Sequence, residues 1–177
     1  FQNESGAWSG WEAFAPTKSW TLEAGDGLKT VNVQLRDAAG NAASASDTIT
    51  LDTVAPTILN VTDGGLYNTD QTLDWTEGSG DLNGSPVSQG DTLSADGVYT
   101  LTVTDPAGNS TSVTFEIDKT APDGTVSIQA GASYTASTAV DLTIANPDGT
   151  AVQMRFQNAG GAWSGWEAFA PTKSWTL

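Results

Sequence analysis

The chain contains a long internal repeat, and this feature limits its fold more than any other. Residues 1–22 read FQNESGAWSGWEAFAPTKSWTL, and residues 156–177 read FQNAGGAWSGWEAFAPTKSWTL. The two segments differ only where Glu4 and Ser5 are replaced by Ala159 and Gly160. A motif that begins at Phe1 and again at Phe156 predicts a tandem array, of which the sequence holds one period of 155 residues and an overlap.

A weaker similarity divides the period into two modules. The run DGLKTVNVQLRDAAGN ends at Asn41, and the run DGVYTLTVTDPAGN ends at Asn109. Each is followed by a second strand-like run and by an Ala-Pro linker, at Pro56 and at Pro122. The spacing predicts a complete short module of about 66 residues at 56–121. The remaining residues of the period, about 89, form a long module, present as a C-terminal part in 1–54 and an N-terminal part in 122–177.

Turn residues and alternating apolar residues predict an all-β fold. In Asp-Ala-Ala-Gly-Asn and Asp-Pro-Ala-Gly-Asn, the aspartate can cap the turn amides and the glycine can adopt a positive φ. On either side of the second turn, alternate residues are apolar, as in half-buried antiparallel strands. We expect Trp75 in the core. The predicted strands are 28–37, 47–52, 57–62, 71–76, 91–93, 98–104, 110–118, 125–130, 139–145 and 151–157, with two short strands around the Trp-rich Ser-Gly turn.

With these motifs, the sequence resembles the bacterial immunoglobulin-like repeats of large surface proteins and adhesins. The resemblance rests on the DGVYTLTVTDPAGN run at 96–109, the IDKTAP linker at 117–122 and the WSGWE segments at 8–12 and 163–167. It implies tandem immunoglobulin-like antiparallel β-sandwich modules at the cell surface. The expected function is a structural repeat unit of an extracellular fibre, stalk or surface-layer-type protein. The alternatives are an adhesive, glycan-binding array and a passive spacer beside an enzyme.

Composition excludes several function classes. Six basic residues against 21 acidic ones give a net charge of -15, which repels nucleic acid and anionic membranes. The sequence has no cysteine and no histidine, which removes thiolate chemistry and the commonest general base. We therefore expect no enzymatic activity and no required cofactor. The sequence has no apolar run of about 18 residues, so we expect no membrane insertion by this segment, with signal and anchor sequences encoded elsewhere in the gene.

Acidic residues near the linkers suggest a calcium site. Carboxylates that converge with backbone carbonyls could supply the six to eight oxygen ligands that Ca²⁺ takes, although the sequence has no Asp-x-Asp-x-Asp-Gly loop. Related adhesin repeats are stiffened in this way, so the resemblance favours the hypothesis. The candidate ligands end strands or lie on loops near the junctions: Asp37, Asp52, Asp105, Asp118 and Asp123.

Two interpretations of the tryptophans stay open. Trp8, Trp11, Trp163 and Trp166 could form a platform that stacks on sugar rings, which would make surface glycans partners of the protein. Aromatic residues also bury more area than other side chains, so core or module-contact roles are the simpler interpretation.

The repeat also bears on how the two parts of the long module are completed. If separate chains completed each other, one of the two copies of the 22-residue segment would have no place. Three displaced tryptophans would each lose roughly 2 or 3 kcal/mol of burial. We therefore expect the partners to be neighbouring copies of the repeat in one continuous polypeptide.

Overall fold

The computed structural model describes residues 1–4 and 6–177. The described residues form β-strands in several mostly antiparallel sheets, with one 3-10 turn at Gln129–Gly131, so the all-β prediction is confirmed. The chain divides into two compact units, Phe1–Asp118 and Lys119–Leu177. Their boundary lies within the predicted linker at 117–122. Within the described part of the chain, no helix is long and apolar enough to cross a membrane.

The first 54 residues form a three-stranded antiparallel sheet in the order β1-β2-β3. The strands are β1 (Gln2–Asn3), β2 (Gly27–Arg36) and β3 (Ala42–Leu51). The β3 strand begins five residues before the predicted strand at 47–52. None of the side chains described in residues 1–54 is buried. Leu35 and Ile49 lie on one face of the β2–β3 hairpin, 51% and 58% exposed, so this apolar face is only partly covered.

Residues 56–118 contain a five-stranded sheet and a small two-stranded one. The sheet order is β4-β10-β9-β6-β7, with β4 parallel to β10 and the other pairs antiparallel, and β5 pairs with β8. The strands are β4 (Leu66–Tyr67), β5 (Gln71–Thr72), β6 (Ser79–Leu82), β7 (Ser85–Val87), β8 (Thr92–Leu93), β9 (Gly97–Thr104) and β10 (Ser110–Ile117).

A closed hydrophobic core fills this region. Trp75 is 4% exposed, its indole N–H donates to the carbonyl of Gly78 at 3.3 Å, and its ring packs on Gly80. A Cβ at Gly80 would come within 2.6 Å of that ring. Both the predicted alternation in β9 and β10 and the core position of Trp75 are confirmed. The buried residues are Val61, Leu73, Trp75, Leu101, Val103, Phe115 and Ile117.

The predicted strands of this region differ from the structure, and the strand expected at 71–76 is shortened to β5. The strand expected at 57–62 is reduced to one bridge between Ile58 and Trp75. The β6–β7 hairpin was not predicted, although its turn residues Asn83 and Gly84 have φ values of 53° and 84°. An Asn-Gly pair with two positive φ angles is typical of a two-residue hairpin turn, so the sequence signal was present.

The second unit consists of two small sheets. The strands are β11 (Thr125–Ile128), β12 (Ala139–Ala145), β13 (Gln153–Met154), β14 (Glu167–Ala168) and β15 (Thr172–Thr176). The sheets have the orders β11-β12-β15 and β13-β14, and every pair is antiparallel. Val140 and Leu142 of β12 are buried, at 3% and 5% exposure, while Val126 of β11 is 61% exposed.

The packing predicts a contrast between two valines of β9. Val103 is fully buried and Val98 is 61% exposed. Val103→Ala should lower the free energy of unfolding by about 2 kcal/mol, because it removes buried methyl groups and leaves a cavity. Val98→Ala is the matched control and should change it by less than about 0.5 kcal/mol. Urea unfolding of the full chain measures both, and equal losses would contradict this placement of the core.

Candidate functional site

The two copies of the repeated segment have the same local structure. In the first copy, the Trp20 indole N–H donates to Asn3 Oδ1 at 2.6 Å, and Asn3 Nδ2 donates to the Thr21 carbonyl at 3.0 Å. In the second copy, the Trp175 indole N–H donates to Asn158 Oδ1 at 2.6 Å, and Asn158 donates to the Thr176 carbonyl at 2.9 Å. We call this pair of hydrogen bonds the Asn–Trp clasp.

Further contacts repeat with the clasp. The Phe1 and Trp20 rings lie 5.5 Å apart at 34°, and the Phe156 and Trp175 rings lie 5.3 Å apart at 35°. The ion pairs Lys18–Glu12 and Lys173–Glu167 are both 2.7 Å long. The nearly identical sequence therefore makes the same side-chain contacts in both units of the chain.

The copies differ in the strands that pair with them. In the first copy, β1 pairs with the β2–β3 hairpin through Gln2–Asn32 and Asn3–Val31. The second copy instead pairs through β14 with β13 and through β15 with β12. Among the described residues, no strand pairs with 157–158 of the second copy, nor with 12–13 of the first. The first copy thus pairs through residues 2–3, and the second pairs through residues 167–168 and 172–176.

Both arginines of the sequence stack on tryptophans of the WSGW segments. The Arg36 guanidinium lies 4.3 Å from the centre of the Trp11 ring. The Arg155 guanidinium lies 4.7 Å from the Trp163 ring and 4.5 Å from the Trp166 ring. These distances are typical of cation–π contacts. The sequence interpretation missed the arginines, and their rarity in an acidic chain was the available signal.

The predicted glycan-stacking residues are partly exposed. Trp8, Trp11, Trp163 and Trp166 are 43%, 55%, 54% and 59% exposed. Since three of the four carry a guanidinium over the ring, one face of each of those three rings is covered.

An open cavity of about 690 Å³ lies beside the first copy. It separates the segment around Glu12 and Lys18 from the end of β2. Its lining mixes aromatic, charged and backbone groups: Phe1, 8–16, Lys18 and 33–36.

Two of the predicted calcium ligands cap their turns. Asp37 Oδ1 accepts from the amides of Ala39 and Asn41 at 2.9 and 2.8 Å, and the Asn41 side chain donates to Oδ2 at 2.8 Å. The Asn41 hydrogen bonds are the main cause of a lowered Asp37 pKa. The glycine of this turn, Gly40, has a φ of 94°, so the predicted turn is confirmed.

Asp105 makes the same cap in a more buried turn, where it is 5% exposed. Its Oδ1 accepts from the amides of Gly108 and Asn109 at 2.7 and 2.9 Å, and the Asn109 side chain donates to Oδ2 at 2.9 Å. Burial acts to raise the Asp105 pKa, but the hydrogen bonds from Asn109 and the turn amides outweigh it and lower that pKa. The carboxylate of Asp105 therefore accepts the hydrogen bonds of the turn in its ionised form.

The other candidate ligands are spread along the linkers. Asp52 Oδ1 accepts from the Val54 amide at 3.1 Å. The backbone amide of Asp118 donates to the Tyr67 carbonyl at 2.9 Å, and that of Asp123 donates to Asp148 Oδ2 at 2.6 Å. Amide hydrogen bonds from Thr150 and Asp123 lower the Asp148 pKa, and Asp148 was not among the predicted residues. The described residues contain no group of three or more acidic side chains arranged to hold a metal ion. The calcium hypothesis stays a prediction.

Comparison with models of protein families and with the sequences of curated proteins gives no match.

The Asp105 cap predicts acid sensitivity. Because the folded pKa is lowered, this carboxylate stabilises the fold above its ordinary pKa of about 3.9, and the contribution is lost as the pH falls toward the folded value. Asp105→Asn should be less stable than wild type at pH 7, and the difference should shrink below about pH 4. Urea unfolding from pH 7 to pH 3 tests this, with exposed Glu77→Gln as control. A difference that does not change with pH would contradict the role of the ionised cap.

The calcium hypothesis has its own test. If a site forms, Ca²⁺ at one hundred times its Kd should stabilise the folded chain by about 2.7 kcal/mol, because ligand binding shifts the unfolding equilibrium. Thermal melts in millimolar Ca²⁺ and in chelator measure the shift, with Mg²⁺ as the control for ionic strength. Superimposable melts in all three conditions would rule out a calcium site.

Proposed function

We propose that the chain is a structural repeat unit of an extracellular fibre or stalk, built from alternating short and long immunoglobulin-like β-sandwiches in one continuous polypeptide. One observation carries the proposal: two copies of one segment have the same structure and pair through opposite edges. If one copy made both sets of pairings at once, it would have the hairpin on one edge and strands β12 and β13 on the other. Such a segment would lie in the middle of a larger module.

Combining both sets of pairings around one copy gives the proposed long module. One sheet is β11-β12-β15, with three strands. The other sheet would be β14-β13-β2-β3, with β13 running on into the segment equivalent to β1; it joins the observed β13-β14 and β1-β2-β3 pairings. Seven strands in two antiparallel sheets match the immunoglobulin-like count. The exposed apolar faces of the β2–β3 hairpin and of β11 would then pack against each other across the sandwich.

The open cavity fits the same arrangement. In the second copy, Glu167 and Ala168 pair with β13. The equivalent residues of the first copy, Glu12 and Ala13, line the cavity together with the end of β2. A strand equivalent to β13 would occupy this space, so the cavity supports a strand position and gives no separate argument for a small-molecule site.

Contacts at the first linker favour a stiff array. The Asn109 side chain donates to the Asp52 carbonyl at 3.0 Å, and the Thr111 hydroxyl donates to the Pro56 carbonyl at 2.5 Å. These bonds attach the linker to the turn at 105–109 and to β10 of the short module. Pro56 also fixes its own φ and restricts Ala55, which limits bending.

The adhesive, glycan-binding alternative is favoured by the exposure of Trp8 and Trp163. A sugar stacks on an aromatic face, however, and the arginines already cover one face of Trp11, Trp163 and Trp166. We therefore place the structural role first. Glycan-array binding by the full chain would favour the adhesive role instead, while a catalytic domain encoded in the same gene would favour the spacer role.

Force measurement tests the structural role. A recombinant chain of several 155-residue periods should unfold under load one module at a time. Since an extended chain spans about 3.5 Å per residue, modules of about 66 and 89 residues should give two classes of unfolding step, of about 230 and 310 Å. A single class of steps, or extension without steps, would contradict two independently folded modules per period.

A further inference from the structure

Trp11 of the first copy and Trp166 of the second are equivalent positions. Each contacts an arginine, but the two arginines come from different places in the sequence. Trp11 is covered by Arg36 of the β2–β3 hairpin, at 4.3 Å. Trp166 is covered by Arg155, which continues β13, at 4.5 Å. The two arginines lie on opposite flanks of the repeated segment.

We infer that the second copy is a docking surface for a hairpin like 27–51 of the following repeat, and that in the docked module Trp166 is held between two arginines. The inference rests on the proposed continuous array and names the contact that joins the two parts of its long module. The order of the stack is Trp163, Arg155, Trp166, and then the arginine equivalent to Arg36.

The β-sheet register supports this stack. In the first copy, Asn3 pairs with Val31 and Gln2 pairs with Asn32. When that register is continued through the second copy, Arg155 falls opposite the equivalent of Gln34 and Met154 falls opposite the equivalent of Leu35. Met154 and the equivalent of Leu35 then lie on the inner face of the sheet. Arg36 lies two residues beyond Gln34, so the side chains of both arginines project from neighbouring strands on the same outer face.

The stacking distances require the two arginines to lie on opposite faces of one ring. Two guanidinium groups, each within 4.5 Å of the same ring centre, would overlap if both lay on one side. The two guanidinium groups fit when they lie on opposite faces of the indole, which then separates the two positive charges. Each contact is then a cation–π contact.

The second copy has an unpaired strand edge that the hairpin would complete. No described strand pairs with 157–158, although the equivalent β1 pairs with β2 in the first copy. The hairpin is therefore the neighbour that residues 157–158 lack.

The source of the hairpin is the same polypeptide. In the first copy, the four residues 23–26 connect the segment to β2, which keeps the hairpin close to its edge at high effective concentration. A hairpin from a separate chain would bring a second copy of residues 1–22, already paired with it, and that copy would have no place at the surface.

The experiment extends the full chain after Leu177 with a second copy of residues 23–54. Hydrogen exchange and the indole N–H signals of Trp163 and Trp166 are compared with the unextended chain. The expected result is slowed exchange at 157–158 and shifted indole signals. Amides of the closed core at 101–103 report whether the chain is folded in every variant.

Substitutions then test the stack. Replacing the appended arginine equivalent to Arg36 by alanine, or making Arg155→Ala, should weaken docking about five- to thirtyfold, as expected for loss of one cation–π contact. Alanine at the appended threonine equivalent to Thr48, which is exposed on the same face as Arg36, is the control and should change docking less than twofold.

The outcomes separate this inference from the proposed function. Unchanged exchange at 157–158 in the extended chain would overturn the docking surface. Docking that is equally sensitive to the arginine and threonine substitutions would overturn the two-arginine stack. Hairpin docking without two classes of force step would support this inference and contradict the proposed fibre role.

Discussion

The Asn–Trp clasp determines which backbone edges of the repeated segment are available for strand pairing. It joins positions 17 residues apart, so that the segment closes on itself and presents two separate backbone edges. One edge is the strand beside the asparagine, and the other lies beside the glutamate and the lysine of the ion pair. Because the clasp is identical in both copies, the different pairings of the two edges reflect the neighbouring sequence and not the segment itself.

The distribution of burial follows from this arrangement. The region 56–118 contains strands that pair with each other on all sides of one core, and seven of its apolar side chains are buried. The β2–β3 hairpin is the longest strand pair described in the chain, yet none of its side chains is buried. A two-stranded hairpin supplies backbone hydrogen bonds but only one apolar face, and that face needs a second sheet to pack against.

Two of the acidic residues have a local role that does not depend on the calcium hypothesis. Asp37 and Asp105 lie on turns, and their carboxylates accept hydrogen bonds from their own turn amides and from the following asparagine. The Asp-x-x-Gly-Asn spacing fully accounts for these bonds, since each partner lies within four residues.

The sequence by itself determined the all-β class, the strands on either side of Asp105, the turn glycines and the burial of Trp75, because these depend on alternation and on contacts between near neighbours. It also determined that the structure repeats. Only the tertiary structure decided which edge of each copy is paired, that Arg36 and Arg155 stack on tryptophans, and that residues 57–62 form a single bridge at Ile58. These features depend on contacts between residues that are distant in sequence, and local patterns do not encode such pairings.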